Sequence, residues 1–225
     1  LKSGAEEPVR SPMRSLSPST VQAWPNRAST VRRILTLYNP AHHTDPWRLN
    51  NQHNRAIMSS TISTQLITNL KSAGCNFFVS VPCKLLAGQI HLLEQDSDTC
   101  YLPVTREEEG FGLCAGASLA GRLPCILMQD SGLGNSINAI KSLIQFFQLP
   151  VVMLMSYRGS PGEPVPAQVP MGVLVPELLK LLQIPAIHCH QPADLAEIRP
   201  LVDHARVAES AVAILIDFQL MEGEA

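Results

Sequence analysis

Apolar positions recur with two different periods along this chain, and from Ser60 onward the two alternate. Ile62, Leu66, Ile67 and Leu70 repeat at helical spacing, and Gly74 stands where that helix must stop. "NFFVSV" is a short apolar run that ends at Pro82 and predicts a strand. "KLLAGQIHLLEQ" then predicts a helix, "CYLPV" a strand, and "EEEGFGLCAGASLAG" a helix that ends at Gly121. "PCILMQ" predicts a strand, "SINAIKSLIQFF" a helix and "PVVMLMS" a strand. A loop rich in Pro and Gly follows, "YRGSPGEPVPAQVPMG". The last elements are a helix from Val173 to Gln183, the short strand "AIHC", a helix from Ala193 to Ala208 and the strand "AVAILIDF".

Strands that alternate with amphipathic helices form right-handed βαβ units. The expected fold is therefore a three-layer α/β/α arrangement around a mostly parallel sheet of about six strands. No internal repeat interrupts it. In such a sheet, ligands bind beyond the carboxyl ends of the strands. Four polar loops fall there: "PCK", "TREEE", "DSGLGNS" and "YRGSPGEP". Residues 1–57 lack a sustained apolar period and are rich in Pro, Ser, Asn and Arg. They are expected to be a disordered extension, with the folded domain spanning 58–225. Glu6, Glu7 and Asp45 argue against a transit peptide. His42, His43 and His53 are expected to be solvated.

A formal net charge of -2 over 225 residues gives no electrostatic case for nucleic acid or a membrane surface. No apolar run approaches the roughly 18–20 residues that span a bilayer. The six cysteines form no C-x-x-C pair, and several sit inside apolar runs. That usage fits packing residues in a reduced, cytoplasmic setting better than a disulfide scaffold. His188, His190 and His204 show no familiar metal-ligand spacing, so no metal role is expected for them.

The loops carry the chemistry. "SGLGNSIN" follows a strand and opens a helix, where backbone N–H groups can hold an anion. The dinucleotide fingerprint and the phosphate loop G-x-x-x-x-G-K-[ST] are both absent. Glu107, Glu108 and Glu109 stand together at a helix start, where the helix dipole stabilises a carboxylate by about 0.3–1 kcal/mol. That accounts for Glu108 and Glu109 without a function. It does not account for Gly110, Gly112 and Gly116, since glycine inside a helix costs about 1 kcal/mol against alanine. Three glycines in one helix predict that something large approaches it closely.

"VPCKLL", "VTREEEGFGLCAGASLAG", "MQDSGLGNSIN" and "SYRG" together resemble the pyrimidine-binding domain of thiamine diphosphate enzymes, in particular the alpha subunits of sulfopyruvate decarboxylases. Phosphonopyruvate decarboxylases are the related alternative. The resemblance begins near Ser60 and runs to the C-terminus. It implies a thiamine diphosphate-dependent decarboxylase of a 2-oxo acid, giving sulfoacetaldehyde and CO2 from sulfopyruvate, a step of the coenzyme M biosynthesis type. It implies that Glu107 hydrogen-bonds the aminopyrimidine of the cofactor and relays a proton. Gly110, Ser131, Gly132, Gly134 and Asn135 are implied cofactor contacts. Cys83 and Lys84 fall where related enzymes carry substrate-side residues, with a packing residue and a solvated helix start as the alternatives; Arg106 and Arg158 suit a substrate anion, Arg106 otherwise balancing the acid cluster. For Arg158 a surface pair with Glu163 weighs equally; for Asp130 and Ser131 a turn role is favoured over ligand binding.

No Gly-Asp-Gly segment occurs in the chain. The diphosphate and its Mg2+ are then expected on a separate beta subunit, with the cofactor across the interface. Three readings stay open: sulfopyruvate decarboxylase subunit, phosphonopyruvate decarboxylase subunit, and a non-catalytic binding or regulatory module of the same fold.

Overall fold

The computed structural model describes residues 61–222. The expected disordered extension 1–57 and its three histidines lie outside the described residues. Within them, six strands form one parallel sheet in the order β2-β1-β3-β4-β6-β5. The strands are β1 (Phe77–Ser80), β2 (Cys100–Pro103), β3 (Pro124–Gln129), β4 (Val151–Tyr157), β5 (Ala186–Cys189) and β6 (Ala211–Asp217). The main helices are α1 (Thr61–Ser72), α2 (Ala87–Gln95), α3 (Glu107–Leu119), α4 (Val169–Leu181), α5 (Ile198–Val207) and the short α6 (Phe218–Glu222).

The strands read as unbroken apolar runs because both faces of the sheet are covered. Successive side chains alternate between the faces. Phe78, Cys125, Leu127, Val152, Leu154, Val212, Ile214 and Ile216 pack with α1, α2 and α5 residues such as Leu66, Leu93 and Val202. Val79, Ile126, Met128, Met153, Met155, Ala213 and Leu215 pack on the opposite face with Phe111 and Cys114 of α3 and Val175 of α4. Each large apolar side chain withdrawn in this way contributes roughly 1.5–3 kcal/mol against exposure. All six cysteines are free thiols, and four are buried in these two layers. Burial alone pushes the Cys114 thiol up to about 12, which suits a packing residue and not a nucleophile. Among the described residues no helix is long and apolar enough to cross a membrane.

Three elements depart from the sequence expectation. The helix expected over "SINAIKSLIQFF" runs from Ile137 and turns π-helical at Ile140–Gln145, and a separate four-residue helical turn, Gly132–Asn135, precedes it. π-turns of this kind interrupt a helix where side chains are being aimed. Helix α4 begins at Val169, four residues before the expected start, because Pro170 sits in its first turn, where proline costs nothing. Pro176 lies inside the same helix and has no N–H to give the carbonyl of Gly172. The Tyr157 hydroxyl donates to that carbonyl instead, at 3.0 Å. The helix expected over Ala193–Ala208 opens as a 3-10 turn at Pro192–Glu197 before α5.

Every strand runs the same way, so the loops after all six strands share one rim. That brings the four expected loops together and adds the ends of β5 and β6 to them.

Candidate active site

The three glutamates at the start of α3 do three different things. Glu109 turns back over the helix start, and its Oε2 accepts from the Thr105 amide at 3.3 Å and from the Thr105 hydroxyl at 3.2 Å. Glu108 pairs with the exposed Arg106 guanidinium at 2.5 Å. Glu107 alone reaches the glycine loop after β3. Its Oε2 accepts from Asn135 Nδ2 at 3.1 Å, and no hydrogen bond reaches its Oε1 among the described residues.

Two glycines make room for this arrangement. A Cβ on Gly132 would lie 2.4 Å from Glu107 Cγ and 2.8 Å from its Cδ and Oε1. Position 132 is therefore bare because the acid lies across it. A Cβ on Gly110 would stand 2.7 Å from Ile126 Cδ1 and 3.3 Å from Val79 Cγ1, so this glycine lets α3 sit down on β1 and β3. The expected close approach holds at Gly110 only. Gly112 and Gly116 face away from the sheet, with no described residue within 4 Å of the position of a Cβ.

The glycine loop does not offer an anion-holding helix end. Its helical turn is four residues long, and the amides of Leu133 and Gly134 are spent on the carbonyls of Asp130 and Ser131. Ser131 Oγ lies 2.7 Å from Gln129 Nε2, which also donates to Gln168 at 2.9 Å. Gly134 faces the end of the Met171 side chain, 3.2 Å from a Cβ there.

The loop after β4 is organised by Glu163. Its carboxylate takes a two-pronged pair from Arg158, Nε at 2.6 Å and Nη2 at 2.7 Å, and also accepts the amides of Gly159 and Val165. The pair is no surface contact: the side chains are 12% and 2% exposed. The Arg158 pair holds the Glu163 carboxyl down at about 2. The guanidinium expected to meet substrate is thus already engaged, and among the described residues its remaining hydrogen bond is a 3.4 Å contact from Nη1 to Gln129. Lys84 is exposed at the start of a 3-10 turn after β1 and forms no ion pair among the described residues. Cys83 Sγ lies 3.2 Å from Ser156 Oγ on β4, a half-buried packing position.

Asp130 does more than form a turn. It is fully buried; its Oδ2 accepts the Arg158 amide at 3.1 Å, tying the loop after β3 to the loop after β4, while Oδ1 has no hydrogen-bond partner among the described residues. Burial pushes its carboxyl up to about 7. A carboxyl raised on folding binds more protons in the folded than in the unfolded state between its ordinary 3.8 and 7, so stability falls as pH rises through that window. Asp130→Asn removes this dependence. We expect its gain in stability over the parent to grow by roughly 2–3 kcal/mol between pH 5 and pH 8, read from urea midpoints at the two pH values. A difference that stays flat with pH would show that Asp130 does not titrate there.

Sequence reasoning missed a further group on this rim. His188, His190 and Asp217 meet at the ends of β5 and β6.

No model of a known protein family matches the chain. It is 44% identical over 156 residues to the sulfopyruvate decarboxylase subunit alpha of Methanothermobacter thermautotrophicus, covering 69% of this chain and 94% of that protein. It is 38% identical over 120 residues to the phosphonopyruvate decarboxylase of Streptomyces viridochromogenes, covering 53% of this chain and 30% of that one. Among solved structures, the thiamine diphosphate-dependent 4-hydroxybenzoylformate decarboxylase of Rhodococcus jostii superposes with a TM-score of 0.55 at 18% identity. That match covers 71% of this chain and 30% of the other. At this identity the likeness speaks for the fold.

Proposed function

The chain belongs to the family of sulfopyruvate decarboxylase alpha subunits, and from that premise we propose that it is the pyrimidine-binding half of a thiamine diphosphate-dependent decarboxylase. The substrate is sulfopyruvate, and the products are sulfoacetaldehyde and CO2. The observation that carries the reading is Glu107, held by Asn135 through one oxygen and laid over a position kept bare at Gly132.

The residues present fit one half of the cofactor. A carboxylate with one oxygen tied and the other open to a donor suits an aminopyrimidine N–H. Thiamine diphosphate, when bound, supplies the carbon nucleophile that 2-oxo acid decarboxylation needs. This chain supplies the proton handling. Glu107 Oε1 takes and returns the proton, while the Asn135 bond and the Gly132 floor fix where that oxygen stands. Gly110 fixes the start of α3 against the sheet and so the backbone of Glu107. The substrate anion is assigned to Lys84, which is exposed and forms no ion pair among the described residues, and to Arg106, which is exposed and paired with Glu108, with Arg158 reduced to positioning the loop after β4.

The diphosphate and Mg2+ are assigned to a beta subunit that carries the missing Gly-Asp-Gly segment. The test is co-expression with a candidate beta chain carrying a Gly-Asp-Gly segment, followed by analysis of the aldehydes formed from sulfopyruvate and from phosphonopyruvate. Sulfoacetaldehyde formed by the pair and by neither chain alone is the expected result. Turnover of phosphonopyruvate in its place would move the substrate to the phosphonate, the reading that the Streptomyces relative favours. Full activity of the single chain would overturn the division of the cofactor site.

A further inference from the structure

We propose that His188, His190 and Asp217 form a binding site for a divalent transition metal, zinc by the chemistry of the donors, at the carboxyl ends of β5 and β6. The site is separate from Glu107 and does not rest on the decarboxylase reading. In the strand order, β6 lies two strands beyond β3, which at about 4.8 Å per strand is roughly 10 Å across the sheet.

Strand geometry brings the ligands together. Cys189 points into the α1 side of the core, so its neighbours His188 and His190 both point to the other face. Ile216 also points to the α1 side, which turns Asp217 to the same face as the two histidines. His188 Nε2 lies 2.5 Å from Asp217 Oδ1, and His190 Nδ1 lies 2.6 Å from Oδ2. One donor atom from each of the three residues falls within 4.8 Å of the other two. Tetrahedral zinc, with bonds of about 2.0–2.1 Å, needs neighbouring donors roughly 3.3–3.4 Å apart, so small side-chain movements close the set.

Charge points the same way. Asp217 is 7% exposed, and among the described residues no Lys or Arg pairs with it. A buried carboxylate needs a compensating cation. Two imidazoles on one carboxylate offer two nitrogen donors and one oxygen, a set that suits zinc and not Mg2+, which prefers oxygen ligands. Three protein ligands also leave a fourth position open. The surroundings hold the donors in place. The Tyr157 ring stands edge-on to the His188 ring, centroids 4.7 Å apart, and the His190 amide donates to Asp194 Oδ2 at 2.8 Å.

The test uses the full chain, stripped with a chelator and titrated with Co2+, whose visible bands report nitrogen and oxygen ligation. Zn2+ and Mg2+ serve as competitors. One Co2+ per chain is expected, displaced by Zn2+ and not by Mg2+. His190→Ala, at a half-exposed position, should weaken binding at least tenfold, and His188→Ala/His190→Ala should remove these bands. Zn2+ should raise the melting temperature of the parent and leave that of the double variant where it is. Co2+ titrations that coincide for parent and double variant would overturn the proposal, as would no saturable binding at all. Either result would make the trio a hydrogen-bonded tie only.

Discussion

On the proposed function, Glu107→Gln is expected to lower kcat by about 10²–10⁴-fold in the assembly with the partner chain while the fold stays intact. Glutamine keeps the length of the side chain and can still accept from Asn135, so the contact with Gly132 survives. What it loses is the ability to take up and return a proton at Oε1. Glu108→Gln and Glu109→Gln are the controls. Glu108 meets an exposed arginine and Glu109 caps its own helix, and contacts of that kind are worth a few tenths to about 1 kcal/mol. The measurements are kcat and the exchange of the cofactor C2 hydrogen for deuterium, for all three variants assembled with the partner chain. Wild-type exchange in Glu107→Gln would remove the proton relay from this residue. Loss of exchange in Glu108→Gln or Glu109→Gln would move the relay to a neighbour.

The largest effect on stability is expected at Glu163. Glu163→Ala leaves the Arg158 guanidinium nearly buried without its partner and frees the amides of Gly159 and Val165. Breaking such a pair from one side costs about 3–5 kcal/mol. For a domain of this size that lowers the melting temperature by roughly 6–15 °C. Arg158→Met/Glu163→Leu should recover part of the loss, because no charge is then stranded. The pair also has an acid signature. Glu163 is held at about 2 against an ordinary 4.5, so its contribution is complete above 4.5 and is lost as pH falls toward 2. The parent should lose that stability in acid, and Glu163→Ala should not. If Glu163→Ala melts within a degree of the parent, Glu163 does not organise this loop, and Arg158 returns to the substrate side.

The central strands were the most legible part of the chain. "PCILMQ" coincides with β3, because a strand covered on both faces must be apolar at every position. The helix after β3 was not legible in the same way. Its π-helical turn at Ile140–Gln145 and the short turn Gly132–Asn135 ahead of it leave no mark in the apolar period. The start of α4 was hidden because prolines 166 and 170 read as loop, although a first turn accepts them.

At the candidate site, composition raised the right question about three acids but could not assign their directions. These depend on how α3 lands on β1 and β3. A surface pair of Arg158 with Glu163 is one of the two readings the sequence leaves equal, and its depth is out of reach there, since burial of a loop depends on what folds over it. His188 and His190 did leave a signal: two histidines one residue apart share a face only if the segment is a strand, as "AIHC" was expected to be. Asp217 was out of reach, because its place beside them follows from the pairing of β5 with β6.

The Gly132 floor under Glu107 has a consequence for how such a site can change over generations. Because the carbon missing at 132 is the space that the acid occupies, the two positions form one unit of inheritance. A side chain at 132 displaces the acid at 107 from the place it holds here, whereas a shorter residue at 107 leaves that space free. A substitution at 132 therefore acts on the reach of the carboxylate to Asn135 before it acts on the fold. A lineage that has filled position 132 recovers the same carboxylate position only when 132 is emptied again.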